Sequence, residues 1–208
     1  MNGVLPTSSR LPAPPRTSER KRRSLRLSRD RNAQKSFQLY RSNQAGSRAE
    51  RRLVAERSTQ PIPRGAFDLA HLRAIHRHLF QDIYDWAGEV RAVEISKGEQ
   101  QFQFRQYIET GMADVHRRLV RGRFLRGLSA ADFAVQSAVI MGDINYVHPF
   151  REGNGRTQLQ YLNQVAGEAD HRLDFARIDG PRWIEASVVS HGGEYAPMAG
   201  LILGALAR

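Results

Sequence analysis

The chain has 208 residues, 40% of them hydrophobic, enough for one ordinary domain with a genuine core. It contains no cysteine, which excludes both a disulfide framework and a thiolate zinc site. The net charge of +11 sits at one end: residues 1–60 carry 15 Lys/Arg against 4 Asp/Glu, whereas residues 61–208 carry 17 of each and read as a neutral globular domain.

Residues 1–35 are rich in Arg, Ser and Pro and poor in large apolar side chains. Such a segment buries too little surface to offset its chain entropy, so disorder is expected. Its composition fits a nucleic-acid arm, a secretion address or a transit peptide, and equally a plain solvated extension. No apolar run approaches the roughly 18 residues of a membrane span, and none at the start resembles a secretory leader. Ser47 to Arg57 reads as a short charged helix ended by Pro61 and Pro63. The boundary between a basic extension, residues 1–60, and the domain proper, residues 61–208, is placed there.

From Asp68, an N-cap candidate, apolar residues recur at helical spacing through Leu69, Leu72, Ile75, Leu79, Ile83 and Trp86, with Gly88 closing the helix. His71, His76 and His78 lie on this helix at spacings that do not pair metal ligands at i, i+4, and are expected on its amphipathic surface. RAVEIS (Arg91–Ser96) and QFQF (Gln101–Phe104) flank a polar turn and read as a hairpin. A helix from Gln106 to Arg121 uses Ile108, Met112, Val115 and Leu119. The next, N-capped by Ser129 with Asp132 three residues on, is apolar enough to be central and buried. A helix over Thr157–Gly167, another near Trp183–Val189 and the tail MAGLILGAL complete an all-α domain with one small hairpin.

The segment His148 to Arg156 reads HPFREGNGR and opens onto a helix. A glycine-rich turn feeding a helix N-terminus offers several N–H groups and the positive end of the macrodipole to an anion. Gly153 and Gly155 let the backbone approach that anion, Asn154 adds an amide donor, and Arg156 offers a planar fork for phosphate. Glu152 suits a divalent cation bridging phosphates, or merely a charge favoured by the dipole. His148 suits a general base, or a satisfied core histidine. Phe150 is expected under the loop and Arg151 in solvent. Neither a Walker-type GxxxxGK[ST] nor an HExxH motif occurs.

HPFREGNGR resembles the signature of the Fic family, His-x-Phe-x-(Asp/Glu)-Gly-Asn-Gly-Arg-x-x-Arg. FDLAHLRAIHRHLFQDIYDWAG resembles that family's first core helix, and VRAVEISKG its flap hairpin. The resemblance, from Phe67 to Leu206, implies the Fic fold: core helices with a β-hairpin flap. It implies transfer of AMP from ATP to a Ser, Thr or Tyr hydroxyl of a target protein, as in the toxin or effector branch. By position, it implies His148 as base, Glu152 as Mg²⁺ ligand and Gly153, Asn154, Gly155 and Arg156 as phosphate nest. The flap around Ile95–Gly98 would align the target by strand-like pairing, with Lys97 and Gly98 at the nucleotide site. Action in the cytoplasm of the producer, or of a host cell after secretion, is expected.

One position departs: the family's second arginine falls at Leu159, and a lost charge-assisted phosphate contact costs about 1.5–3 kcal/mol. Weaker or altered nucleotide binding is therefore expected. Another donor such as UTP, de-adenylylation, and a degenerate non-catalytic binding domain stay open as alternatives. The family's inhibitory pattern, Ser/Thr-x-x-x-Glu-Gly/Asn, is met only partly, by Ser190 and Glu194 in SHGGEY. A separate small inhibitory antitoxin protein is the favoured partner; a nucleic-acid partner is not expected.

Overall fold

The computed structural model describes residues 44–98 and 100–207, with side chains from residue 48; the readings of residues 1–35 lie outside this range. It divides into the units Met1–Arg51 and Arg52–Arg208, and the account below concerns the second. Among the described residues there are seven α-helices and one two-stranded antiparallel sheet.

Helix α1 spans Gln44–Ser58 and crosses the unit boundary. Helix α2 (Leu69–Phe80) begins where Asp68 accepts a hydrogen bond from the His71 N–H at 2.8 Å. It stops at Phe80 rather than running to Gly88, because the chain folds into turns there. The N–H groups of Ile83 and Tyr84 both bond the Phe80 carbonyl, and the Tyr84 and Trp86 rings stack 4.2 Å apart. Gly88, at φ +82, closes this turn instead of the helix. His71 and His76 are buried, not on the surface as their spacing suggested. Both flank the Leu72–Ile75–Leu79 stripe, and each imidazole has both nitrogens partnered, which removes the penalty of burial.

The hairpin consists of β1 (Ser96–Lys97) and β2 (Gln100–Gln101), with Ser96 opposite Gln101 and Lys97 opposite Gln100. It is shorter than the RAVEIS and QFQF segments imply. Residues 91–95 form no ladder, because the Arg91 N–H is taken by the Pro149 carbonyl and the Val93 carbonyl by the Arg91 side chain.

Helix α3 (Ile108–Arg121) buries Ile108, Met112, Val115 and Leu119, the stripe its sequence shows. Helix α4 (Ala130–Val147) is capped by Ser129, whose Oγ accepts from the Asp132 N–H. It buries Phe133, Ala138, Met141 and Ile144 and packs against α3, α5 (Asn154–Glu168) and α7 (Ala196–Ala205), making it the central helix. Helix α6 (Gly180–Val189) carries Asp179 as cap. Among the described residues no helix is long and apolar enough to cross a membrane.

Truncating a residue of the central helix should therefore cost far more than truncating one on its outer face. Ile144→Ala is expected to lower stability by about 2–5 kcal/mol, and Val135→Ala, with Val135 54% exposed, by about 0.5 kcal/mol or less. Equilibrium denaturation measures both.

Candidate active site

Helix α4 ends against Pro149, which disfavours helical geometry in the residue before it. His148 accordingly takes the left-handed region, φ 46 and ψ 63, while its N–H still bonds the Ile144 carbonyl. This turn directs the imidazole Nδ1 to the Asn145 carbonyl at 3.1 Å. A carbonyl only accepts, so Nδ1 carries the proton and Nε2 keeps its lone pair. Phe102, at the foot of the hairpin, stacks on the ring with centroids 3.7 Å apart. Burial pushes the His148 pKa down to about 4; the Asn145 hydrogen bond opposes this, and the charges of Arg91, His191 and Lys97 add to it. At neutral pH His148 is an uncharged proton acceptor.

The loop beyond is pinned from below. Phe150 is fully buried and stacks on His76 at 4.0 Å. His76 accepts from the Gly88 N–H through Nδ1 and donates from Nε2 to the Glu152 carbonyl at 3.0 Å. Gly153, at φ +81, caps α5, and a Cβ there would lie 2.5 Å from Phe80 Cε2. No side chain other than hydrogen fits.

Asn154 also braces the loop from within. Its Oδ1 accepts from the Phe150 N–H at 3.0 Å and its Nδ2 donates to the Phe150 carbonyl at 2.7 Å. The amide oxygen and one amide N–H of this buried residue are engaged in closing the loop. What Asn154 offers an anion is its main-chain N–H, in a first helical turn whose N–H groups lack intrahelical partners. Gly155 beside it is exposed, with nothing within 4 Å of where a Cβ would stand.

Arg156 lies over the Phe80 ring at 4.7 Å, with Nη2 3.9 Å from Glu152 Oε1. The Glu152 side chain is 39% exposed, and no group of three His, Cys, Asp or Glu capable of holding a metal occurs among the described residues. One accessible carboxylate suits a magnesium ion that keeps most of its ligands from phosphate and water. Lys97 and Gly98 are both exposed in the hairpin, Gly98 at φ +60. Arg151 lies 5.8 Å over the Trp86 ring rather than standing in solvent. Leu159 lines a cavity of about 200 Å³ together with Arg156, Gln160, Val54, Phe175 and Trp183, next to the Arg156 side chain.

Sequence reasoning assigned no site role to Arg91, Asn145 or Phe102, and placed His76 on the helix surface. His76 stands four residues after Leu72 and three before Leu79, a spacing that puts it on the buried face, so its expected surface position misread that period. Arg91, between Val90 and Ala92, was a charged residue in an otherwise apolar stretch.

Residues 66–166 match the model of the Fic/DOC family. The chain is 38% identical over 151 residues to the probable protein adenylyltransferase y4lH of Sinorhizobium fredii, spanning 72% of this chain and 79% of that one. It is 40% identical over 138 residues to the protein adenylyltransferase VbhT of Bartonella schoenbuchensis, spanning 66% of this chain but 29% of VbhT. The ADP-bound N-terminal Fic domain of a VirB-translocated Bep effector protein from Bartonella quintana superposes with a TM-score of 0.67 at 26% identity. That match covers 84% of this chain and 86% of the other.

Two outcomes follow from this geometry. Gly153→Ala should destabilise the fold by more than the roughly 1–2 kcal/mol of a left-handed non-glycine residue, and pairing it with Phe80→Leu should recover only the steric part. His76 and His148 both lie near pKa 4 when folded, against about 6.5 in the unfolded chain. The unfolded chain binds more protons between these values, so stability is full above about pH 6.5 and falls as pH drops towards 4. Denaturant midpoints from pH 7 to 4.5 should decline steadily; a flat series would mean these imidazoles are not buried in neutral form.

Proposed function

Because this chain belongs to the Fic/DOC family, we propose that it is a protein adenylyltransferase, moving AMP from ATP to a Ser, Thr or Tyr hydroxyl of a target protein. The observation that carries the reading is the state of His148: neutral, with Nδ1 committed to Asn145 and Nε2 left as an acceptor. The target hydroxyl gives its proton to Nε2 as its oxygen bonds the α-phosphorus. The bond from that phosphorus to the pyrophosphate oxygen breaks, and pyrophosphate leaves. A pKa near 4 describes the site without nucleotide. The negative charge of a bound triphosphate favours the imidazolium and raises the proton affinity of Nε2 as transfer proceeds.

The remaining parts position charge rather than react. The first-turn N–H groups of α5, at Asn154 and Gly155, and the Arg156 fork receive the phosphates. Glu152 would hold a magnesium ion arriving with ATP, which when bound neutralises phosphate charge. Lys97 and Gly98, on the hairpin, close over the nucleotide, and the hairpin backbone aligns an extended target segment.

A separate inhibitory protein belongs to the same proposal. Internal restraint by Ser190 and Glu194 would need a helix through them, whereas Ser190–Gly192 is a single 3-10 turn followed by Gly193 at φ +84. The effector neighbours support action inside a host cell after translocation, with the producer's cytoplasm as the other site.

Intact-mass and peptide analysis of proteins co-expressed with the wild type should find an added AMP, absent with His148→Ala. Uridylate in its place would identify UTP as donor, and no adduct from either would sink the proposal. Leu159→Arg should raise ATP affinity by about 10-fold or more, the equivalent of 1.5–3 kcal/mol; an unchanged calorimetric Kd would show that Leu159 is not the missing phosphate contact.

A further inference from the structure

We propose that Arg91 is the positioning residue that holds the hairpin and His148 in one register, so that a target segment on the hairpin meets the base. This rests on the transfer reading above. The Arg91 side chain has 0% exposure, and every one of its N–H groups has an acceptor. Nε donates to the His148 carbonyl at 2.8 Å. Nη1 donates to the Val93 carbonyl at 2.8 Å and to Glu94 Oε2 at 3.3 Å. Nη2 donates to the Gln103 carbonyl and, at 3.3 Å, to the Val147 carbonyl. Its own N–H bonds the Pro149 carbonyl at 2.9 Å.

These acceptors come from three places: the end of α4 with the following loop, the segment entering the hairpin, and the segment leaving it. Val147 and His148 present terminal carbonyls of α4 that lack intrahelical partners and form the negative end of its dipole, where a cation is favoured. The leaving segment is fixed a second time by the Gln103 N–H on the Tyr146 carbonyl at 3.0 Å. Next to Gln103, Phe102 stacks on the His148 ring. Arg91 thus touches the base only through backbone, while the hairpin it anchors packs on the base directly. Glu94, which pairs with Arg91, also accepts from the Arg105 N–H at 2.9 Å, tying the hairpin's two stems together.

A lysine cannot replace this. It has three N–H donors around one point, whereas the acceptors here require five donors in a planar fork. The charge has a separate effect. Arg91, Lys97 and His191 are the charged or titratable groups whose fields reach His148, and each favours its neutral form. Removing the Arg91 charge should therefore move the acid limb of the transfer rate to higher pH, whereas Arg91→Lys should leave that limb in place.

The test measures label transfer from α-³²P-ATP to lysate protein by the full chain, with calorimetric ATP affinity and hydrogen exchange of residues 95–104. The variants are Arg91→Lys, Arg91→Met and Phe102→Leu. Arg91→Lys is expected to stay folded and to lose far less ATP affinity than transfer rate, which falls about 100-fold, the scale of an ångström-level misplacement. Exchange across residues 95–104 should quicken, and Arg91→Met should also shift the acid limb upward. Phe102→Leu, which keeps the Arg91 bonds but removes the stack, should show the same split between rate and ATP binding and covers the case in which Arg91→Met does not fold. Wild-type transfer by Arg91→Lys, or a parallel loss of ATP binding and transfer, would overturn the proposal. If wild type and His148→Ala are equally inactive, the transfer reading itself fails. Exchange in Arg91→Lys then decides, and unchanged protection of residues 95–104 would overturn the role assigned to Arg91.

Discussion

A loop that leaves regular structure inside a packed domain has to satisfy its carbonyls and amides from elsewhere, and this constraint organises the molecule around residues 148–156. Each buried polar group left unpaired would cost about 1–3 kcal/mol. Three side chains prevent that. Asn154 closes the loop on Phe150, His76 reaches the Glu152 carbonyl from α2, and Arg91 takes the His148 carbonyl from the hairpin side. The burial of α2, the foot of the hairpin and the end of α4 against one another serves to deliver these three groups.

The two buried histidines of the site illustrate how a second nitrogen assigns a task. Both are held neutral by burial, with pKa values near 4. His76 has both nitrogens bonded to backbone, and its ring is stacked on Phe150, so it serves as a strut. His148 has one nitrogen bonded and the other facing the site, so it retains the capacity to take a proton. The residue type and the effect of burial are alike; the unfilled hydrogen-bond position sets the two apart.

Helix α5 presents Arg156 and Leu159, three residues apart, to one pocket. Its N-terminal turn, with Gly153 against Phe80 and Arg156 over the same ring, belongs to the anion site. Leu159, one turn further, lines that pocket with apolar Val54, Phe175, Ile178 and Trp183 and polar Ser58 and Gln160.

The sequence by itself determined where the candidate chemistry lies, because His148, Glu152, Gly153, Gly155 and Arg156 all fall within nine contiguous residues. It also determined the helices whose stripes are regular, and Ile108, Met112, Val115 and Leu119 of α3 are all buried. Only tertiary structure decided what holds that chemistry in place. Arg91 meets acceptors 12 and 57 residues away, and His76 one 76 residues away, separations at which no local pattern constrains a side chain. It also decided that α2 ends at Phe80, although Ile83 and Trp86 continue its period. Packing of Tyr84 and Trp86 and the bond from Gly88 to His76 outweighed a periodicity worth little until a helix has something to pack against.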